Sequence, residues 1–570
     1  MREVISAMII KALKEEGISL KKEEIEKFVE KPPTPDMGDY AFPCFFLAGK
    51  MKTLPDEIAL NIRKRMENFA HDFEDIQTSG PYINFFINRE FLASNLITKI
   101  KKEKDKYCKL KSTGKKTMIE FPSPNTNKPL HLGHLRNMAI GESVSRISEF
   151  NGEKVIRANL NNDRGIHICK SMAAYKLYGK KKTPKTAKKK SDHFVGDFYV
   201  MFNQKSKKSE KLEIESHRML QKWEAGDKEV KALWKKMNKW ALDGFEETYA
   251  KFGIKHDVEF YESAIYKKGK EIIEEGLKKE IFTKKKDGAV VIDLKKEKLG
   301  EKILLRMDGT SIYITQDIYL AKLRHEKYKI DKSIYVVANE QEYHFNVLFT
   351  ILKKLGYNFE GLNHLSYGMV NLPEGRMKSR EGTVVDGDDL IENIQALVKK
   401  ELKSRDKLSK KELEERSLKI TLAAIKYLIL KIDIKKDMIF NPKESINFEG
   451  DTGPYLLYSY ARASSILRKL EKEKKSNKKY IIGELEEKEM LLVKKLSEFE
   501  EISLKASRDL NPSVIANYSY QLCQIFNEFY HSCPVVNSEK ELFRTDLVKV
   551  FRQILKNSLY LLGIETLEKM

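Results

Sequence analysis

The 570 residues predict an α/β fold: a parallel sheet between helices, with a small α+β domain ahead of it and an all-α helical bundle behind. Three observations carry that reading. Between about 113 and 385, short apolar runs alternate with stretches of helical period, as strands and crossover helices do. Residues 1–112 run helix, strands, helix, and 386–570 turn helical, with apolar residues recurring at offsets of three and four.

Alternating charges around Ile9, Ile10 and Leu13 suit an amphipathic helix and not a signal peptide. Asp75 to Asn88 reads as strands, and the lysine-rich Lys101–Lys116 reads as a linker. In the α/β part, Met118–Phe121, Val155–Leu160, Ile334–Ala338 and Leu365–Met369 are the expected parallel strands, with a helix over Leu135–Phe150 and a turn at Asn151-Gly152. Two insertions are expected, near 179–240 and 266–306, the second with a strand-like alternation from Gly288 to Leu294. Behind them, Leu456, Tyr460, Ala463, Leu467 and Leu470 form an apolar helical stripe. Tyr455, Tyr458, Arg462, Ser465 and Lys469 fall opposite, where rings among cations can stack bases and pair phosphates or simply pack between helices.

A formal charge of +22 points to a polyanionic partner without locating it, because runs such as Lys180–Lys182 and Lys188–Lys190 also suit solvated faces. The five cysteines show no CxxC spacing, which fits a reducing compartment and no bound zinc. No apolar stretch is long enough to span a bilayer.

The chemistry concentrates at His131-Leu132-Gly133-His134, preceded by Ser123-Pro124-Asn125 and Lys128-Pro129. The strand-like Lys116–Phe121 precedes it and a helix follows. That junction exposes unpaired N–H groups at a positive dipole end, suited to phosphates, while Gly133 leaves room for an adenine ring. Two histidines at this spacing equally suit a metal pair or plain packing. Far downstream, Arg376-Met377-Lys378-Ser379-Arg380-Glu381-Gly382 follows a strand-like run and a Pro373–Gly375 turn. A basic, hydroxyl-bearing loop of this kind can close over a polyphosphate.

Together the two motifs resemble the HIGH and KMSKS signatures of class I aminoacyl-tRNA synthetases, and Glu120 to Asn137 resembles the arginyl-tRNA synthetases in particular. The usual loop carries lysine fourth, where this chain has Ser379. That family often places the lysine just before the first histidine, as Lys128 stands here. Arg376 and Lys378 depart from the lysine and serine usual in the loop. Further resemblances include Asn162-Asp163-Arg164-Gly165, Asp192–Val200, Asp308-Gly309-Thr310, Gly453-Pro454-Tyr455 and, in an additional N-terminal domain, Met37–Phe42.

The resemblance implies a Rossmann-type catalytic domain, an N-terminal domain that holds the tRNA elbow, and a helical domain that reads the anticodon. It implies that arginine is activated by ATP and then transferred to tRNA(Arg), commonly only with tRNA present. His131, His134 and Lys128 would be catalytic. Pro124, Gly133, Arg376, Met377, Lys378, Ser379 and Arg380 would bind ATP, with Mg²⁺ on its phosphates. Glu120, Asn125, Tyr313, Asp317 and Gln341 would line the arginine pocket, Asp317 facing the guanidinium, and Tyr455, Tyr458 and Arg462 would meet tRNA. The expected protein is a cytoplasmic monomer. A synthetase of the same class for another amino acid, or a tRNA-binding scaffold without chemistry, are the alternatives. The Tyr313/Asp317 pair argues against the first, and retention of both histidines with Lys128 against the second.

Overall fold

The computed structural model describes residues 1–66, 72–207, 210–307, 313–371, 373, 385–405, 408–472 and 479–570. The expected ATP-loop residues Arg376–Arg380, and Asp308-Gly309-Thr310, lie outside them. The chain packs as two compact units. The first takes Met1–Tyr107, Ile466–Glu498 and Gln524–Ile554, and the second takes Cys108–Ser465, Phe499–Cys523 and Leu555–Met570.

In the first unit the helix Arg2–Glu15 buries Ile5, Met8, Ile9 and Leu13, on the amphipathic pattern read from the sequence. Removing each large aliphatic side chain from water contributes roughly 1.5–3 kcal/mol. They pack with Phe42, Ile83 and Phe85 from a three-stranded antiparallel sheet whose middle strand is Tyr82–Ile87. Asn88 caps the following helix Arg89–Glu103 by accepting the Phe91 N–H at 2.9 Å.

The second unit is built on five parallel strands: β1 Lys116–Glu120, β2 Lys154–Asn161, β3 Val258–Tyr261, β4 Lys332–Ala338 and β5 Leu362–Tyr367. Their order is β5-β4-β1-β2-β3, with Glu120 opposite Tyr335 and Ala158. Met118 and Ile119 on β1 and Ile334–Val336 on β4 are buried, the continuous apolar runs of a sheet covered on both faces. The sequence reverses direction across the sheet between β1 and β4, which opens a crevice at their carboxyl ends.

The helices that matter below are α1 Leu132–Phe150, α2 Ser191–Ser206, α3 Lys228–Phe252, α4 Tyr313–Tyr328 and α5 Gly387–Arg405. α1 begins three residues earlier than expected, with His131 as its N-cap. β5 also ends before the expected Met369. At Gly368 an added Cβ would lie 2.4 Å from the Lys436 backbone, so the chain leaves the sheet there and Val370–Asn371 pairs with Met438–Ile439 instead. The first insertion is helical, and its last helix, α3, passes straight through the expected boundary at 240 to reach Phe252. Phe194, Phe198, Phe202, Trp223 and Met237 give it a core against Ile168 and Met172. The second carries an antiparallel sheet, Thr283–Lys284, Val290–Leu294 and Gly300–Leu305. Its middle strand does not alternate: only Asp293 of the five residues is exposed, because both faces are covered. From Gly387 onward the described secondary-structure elements are helices apart from the short strand Met438–Ile439.

Candidate functional site

Four parallel strands finish on one edge of the sheet, and each delivers polar residues there. β1 ends at Glu120, β2 at Asn161, β3 at Tyr261 with Glu262 next, and β4 at Ala338 just before Gln341. α1 starts on this edge, and α4 joins it by packing against the short helix Glu262–Ile265.

The loop between β1 and α1 is laced to the end of β2. Asn162 donates its N–H to the Pro124 carbonyl at 3.0 Å and its side-chain amide to the Ser123 carbonyl at 3.0 Å. Ser123 sits in the left-handed region, and its N–H is held by Asn159 Oδ1 at 3.2 Å. Lys128 is largely withdrawn from water, which lowers its pKa, and among the described residues no carboxylate lies within 4.0 Å of its ammonium. Burial, followed by the Lys128 charge, holds His131 down to about 3. Burial, with His131 and Lys128 behind it, pushes His134 well below the ordinary histidine value. Both rings are therefore neutral at neutral pH. His134 Nδ1 accepts the His131 N–H at 3.0 Å, so its proton sits on Nε2, which is left as a donor. Nδ1 of His131 is buried with no partner among the described residues. The two rings lie 3.8 Å apart. Gly133 has a nearer reason than ligand access: a Cβ there would meet the His131 ring at 3.0 Å.

The expected arginine-pocket residues divide. Tyr313 opens α4 and is 62% exposed, while Asn125 and Gln341 are also exposed and free to meet a ligand. Asp317, one turn into α4, is half-buried and pairs with His344 Nε2 at 2.8 Å. Burial opposes a charged His344, but Asp317 outweighs it and raises that histidine. Glu120 differs from the expectation of an open acceptor: Arg324, fully buried, pairs with one oxygen, and Ser123 Oγ donates to the other at 3.1 Å. The guanidinium that neutralises Glu120 is thus the chain's own.

Sequence reading missed Glu262. It is 5% exposed, 3.8 Å from the Arg164 guanidinium, and burial pushes it up to about 7, with the charges of Asp163 and Asp317 adding to the rise. Its one legible signal was position, directly after a strand at the ligand-binding edge.

In the helical part, Leu456, Tyr460, Ala463 and Leu467 are buried, Leu470 half-buried, and Tyr455, Tyr458 and Arg462 half-buried on the opposite face. Those last three line a cavity of about 730 Å³ with Lys443, Asn447 and Phe448. Arg462 lies over the Tyr458 ring at 4.7 Å. None of the five cysteines forms a disulfide, and burial drives Cys44 and Cys169 up to about 12, poor metal ligands. No described helix is long and apolar enough to cross a membrane.

Three family models match the chain: "Arginyl tRNA synthetase N terminal domain" over residues 1–87, "tRNA synthetases class I (R), catalytic domain" over 96–442, and "DALR anticodon binding domain" over 456–570. An arginine–tRNA ligase of Treponema denticola is 48% identical over 566 residues, 95% of this chain and 94% of that one. One from Borrelia hermsii is 43% identical across 100% of this chain and 99% of its own. Among solved structures, Thermus thermophilus arginyl-tRNA synthetase superposes with a TM-score of 0.83 at 26% identity, covering 100% of both chains.

Proposed function

We propose, because the chain belongs to the arginyl-tRNA synthetase family, that it is an arginine–tRNA ligase acting through the strand-edge residues described above. The arginine carboxylate attacks the α-phosphorus of ATP, pyrophosphate leaves, and arginyl-adenylate forms. A hydroxyl of the terminal adenosine of tRNA(Arg) then attacks the activated carbonyl and AMP leaves. ATP enters as its Mg²⁺ complex. Neither step needs a covalent enzyme intermediate, so positioning and charge stabilisation carry the rate.

Asp317 and Glu262 take the guanidinium, which has five donors and keeps its charge, with the Tyr313 hydroxyl beside them. Asn125 and Gln341 suit the α-amino and carboxylate groups, and the remaining lone pairs of Glu120 suit the α-amino group. Lys128, His131 and His134 hold the phosphates at the α1 N-terminus, together with Pro124, Gly133 and the Arg376–Arg380 loop. Tyr455, Tyr458 and Arg462 bind anticodon bases, and the first 112 residues hold the elbow of the tRNA. The enzyme works as a cytoplasmic monomer.

The single observation that supports this most is the convergence of a half-buried lysine, without a carboxylate partner among the described residues, and two neutral histidines with two carboxylates on one strand edge. Aminoacylation of a total tRNA pool with labelled arginine, lysine or citrulline tests it. Arginine alone is charged, because citrulline keeps the shape and lacks the charge; equal charging with citrulline would remove Asp317 and Glu262 from the recognition.

Glu262 makes arginine binding pH-dependent. Its carboxyl titrates near 7 in the empty pocket, and a guanidinium lowers it, so a proton leaves on binding and affinity rises as pH climbs from 6 to 8. Titration calorimetry in two buffers of different ionisation heat should show that release, and Glu262→Gln should abolish it. In the helical part, Arg462→Ala should raise the KM for tRNA about tenfold, one lost stacked cation worth ~1–2 kcal/mol, with kcat at saturating tRNA unchanged.

A further inference from the structure

Beside the phosphate-holding segment lies a cavity of about 200 Å³ whose lining includes Lys128, His131, His193 and Asp386. His193 stands on α2, in the helical insertion, and Asp386 just precedes α5. Asp386 forms an antiparallel bridge with His131. Leu132 donates its N–H to the Val385 carbonyl at 3.0 Å, and Gly387 donates to the Leu130 carbonyl at 2.9 Å, so the backbone of His131 is stitched to residues 385–387.

Residues 385–387 are held in turn by Asp386 Oδ1, which accepts the Asp388 and Asp389 N–H groups at 2.9 and 3.1 Å, and by the charges that surround Asp386 and Asp388. His193 Nε2 lies 3.3 Å from an Asp386 oxygen and 3.4 Å from an Asp388 oxygen, ion-pair distances at which it is hydrogen-bonded to neither. Asp388 also pairs with Lys190 at 2.8 Å, accepts from Thr248 of α3 at 2.9 Å, and faces Lys251 at 3.5 Å. Lys190 meets Asp192 at 3.0 Å. Asp192 is fully buried in a notch that α3 provides through Gly244, where a Cβ would fall 2.4 Å from its oxygen. Asp192, His193 and Asp388 offer atoms within 4.8 Å of one another, as metal ligands would, but the Lys190 ammonium already fills that role.

The charges decide the state of the group. Around His193 stand the carboxylates of Asp192, Asp386 and Asp388 with the Lys190 ammonium, and Lys251 is shared between Asp388 and Glu392, so a proton on His193 offsets an excess of negative charge. Burial opposes that proton, yet Asp388 and Asp386 outweigh burial and raise His193 above the ordinary value. The same partners, His193 and Lys190, overcome burial at Asp388 and pull its carboxyl down.

We propose that His193, as an imidazolium, is a positioning residue for ATP activation: it pins Asp386, and through the Asp386–His131 bridge it sets His131 against the phosphates. The inference rests on the phosphate role given to His131 above. Its sign follows from linkage. The folded pKa of His193 is raised, so its contribution is full at pH below the unfolded value of about 6.5 and is lost as pH rises through the folded value. Lys128 and Lys189 face the same cavity, and loss of the Lys128 proton would add a separate decline at higher pH.

The test is ATP–pyrophosphate exchange by the full-length enzyme with arginine and tRNA, from pH 6 to 9, with melting temperatures alongside. Wild type should lose kcat about tenfold on the alkaline side, the scale of a small misplacement of a reacting group. His193→Gln should be about tenfold slower at low pH, without that decline, and with an unchanged KM for arginine. His193→Lys, charged throughout, should restore kcat and abolish the decline. The proposal is overturned if His193→Gln keeps wild-type kcat and its pH profile, or if His193→Lys is as slow as His193→Gln while melting like wild type. A His131→Ala control separates the layers. Full exchange by that variant overturns the phosphate role itself, whereas its loss beside an indifferent His193→Gln overturns only the positioning role.

Discussion

Asp317→Ala should lower kcat/KM for arginine about a thousandfold, ~4 kcal/mol of transition-state stabilisation, while the protein stays folded. The size follows from what faces the guanidinium. Glu120 is neutralised by Arg324, and Glu262 already shares its charge with Arg164, so Asp317 is the carboxylate with most charge to offer a substrate. Its cationic partner among the described residues, His344, is not permanently charged. Loss of Asp317 lets burial lower His344, which then becomes neutral and leaves no uncompensated cation behind. The stability cost is correspondingly small, because the His344 pKa is raised only by that pair. The pair contributes fully below about pH 6.5 and fades as pH rises through the folded value, so at pH 8 the variant should melt close to wild type. Asp317→Asn should recover shape but little activity. Steady-state aminoacylation and thermal melts check both parts, and near-normal turnover by a folded Asp317→Ala would take Asp317 out of the pocket.

Which parts of this site were legible in the sequence depended on how local their determinants are. β1 and the loop that follows were readable because an apolar run, proline punctuation and the histidine pair occupy about twenty consecutive residues. The sheet between helices was readable for the same reason: β4 is a short, mostly buried apolar run, and β2, half-buried, carries Val155, Ile156, Ala158 and Leu160 after the Asn151-Gly152 turn. The end of β5 was not, since the collision that forbids a side chain at Gly368 comes from Lys436, far along the chain. The true length of α3 was missed as well, although Ala241, Phe245, Thr248, Tyr249 and Phe252 past Trp240 recur at the helical offsets that could have shown it. Glu262 looked like one of many acids until topology set it on the same edge as Asp317. Arg324 and Glu120, 204 residues apart, show the limit most sharply. A fully buried arginine in α4 carries no sequence mark that it faces a carboxylate on β1, so Glu120 looked available when it was already paired.

Lys128→Ala should cut ATP–pyrophosphate exchange by about 10²–10³-fold, ~3–4 kcal/mol, the range for removing one preorganised charge from a developing phosphate transition state. The argument is one of imbalance. Lys128 is half-buried, no carboxylate among the described residues pairs with its ammonium, and burial lowers its pKa, so holding the charge there costs free energy. A chain retains such a group only where something else supplies the opposite charge, and a neutral histidine pair at a helix N-terminus is a place for an anion to do so. The prediction therefore has an unusual second half: Lys128→Ala should melt no lower than wild type, and slightly higher, because a half-buried cation without a carboxylate partner among the described residues has gone. Binding of tRNA measured by filter retention should be unchanged, since the role proposed for Lys128 is confined to the activation step. Lys128→Arg should restore only part of the rate, as a fixed fork does not reproduce a compact charge in a cavity of about 200 Å³. Parallel loss of exchange and tRNA binding, or a marked fall in melting temperature, would assign Lys128 to the framework and return the phosphates to the Arg376–Arg380 loop alone.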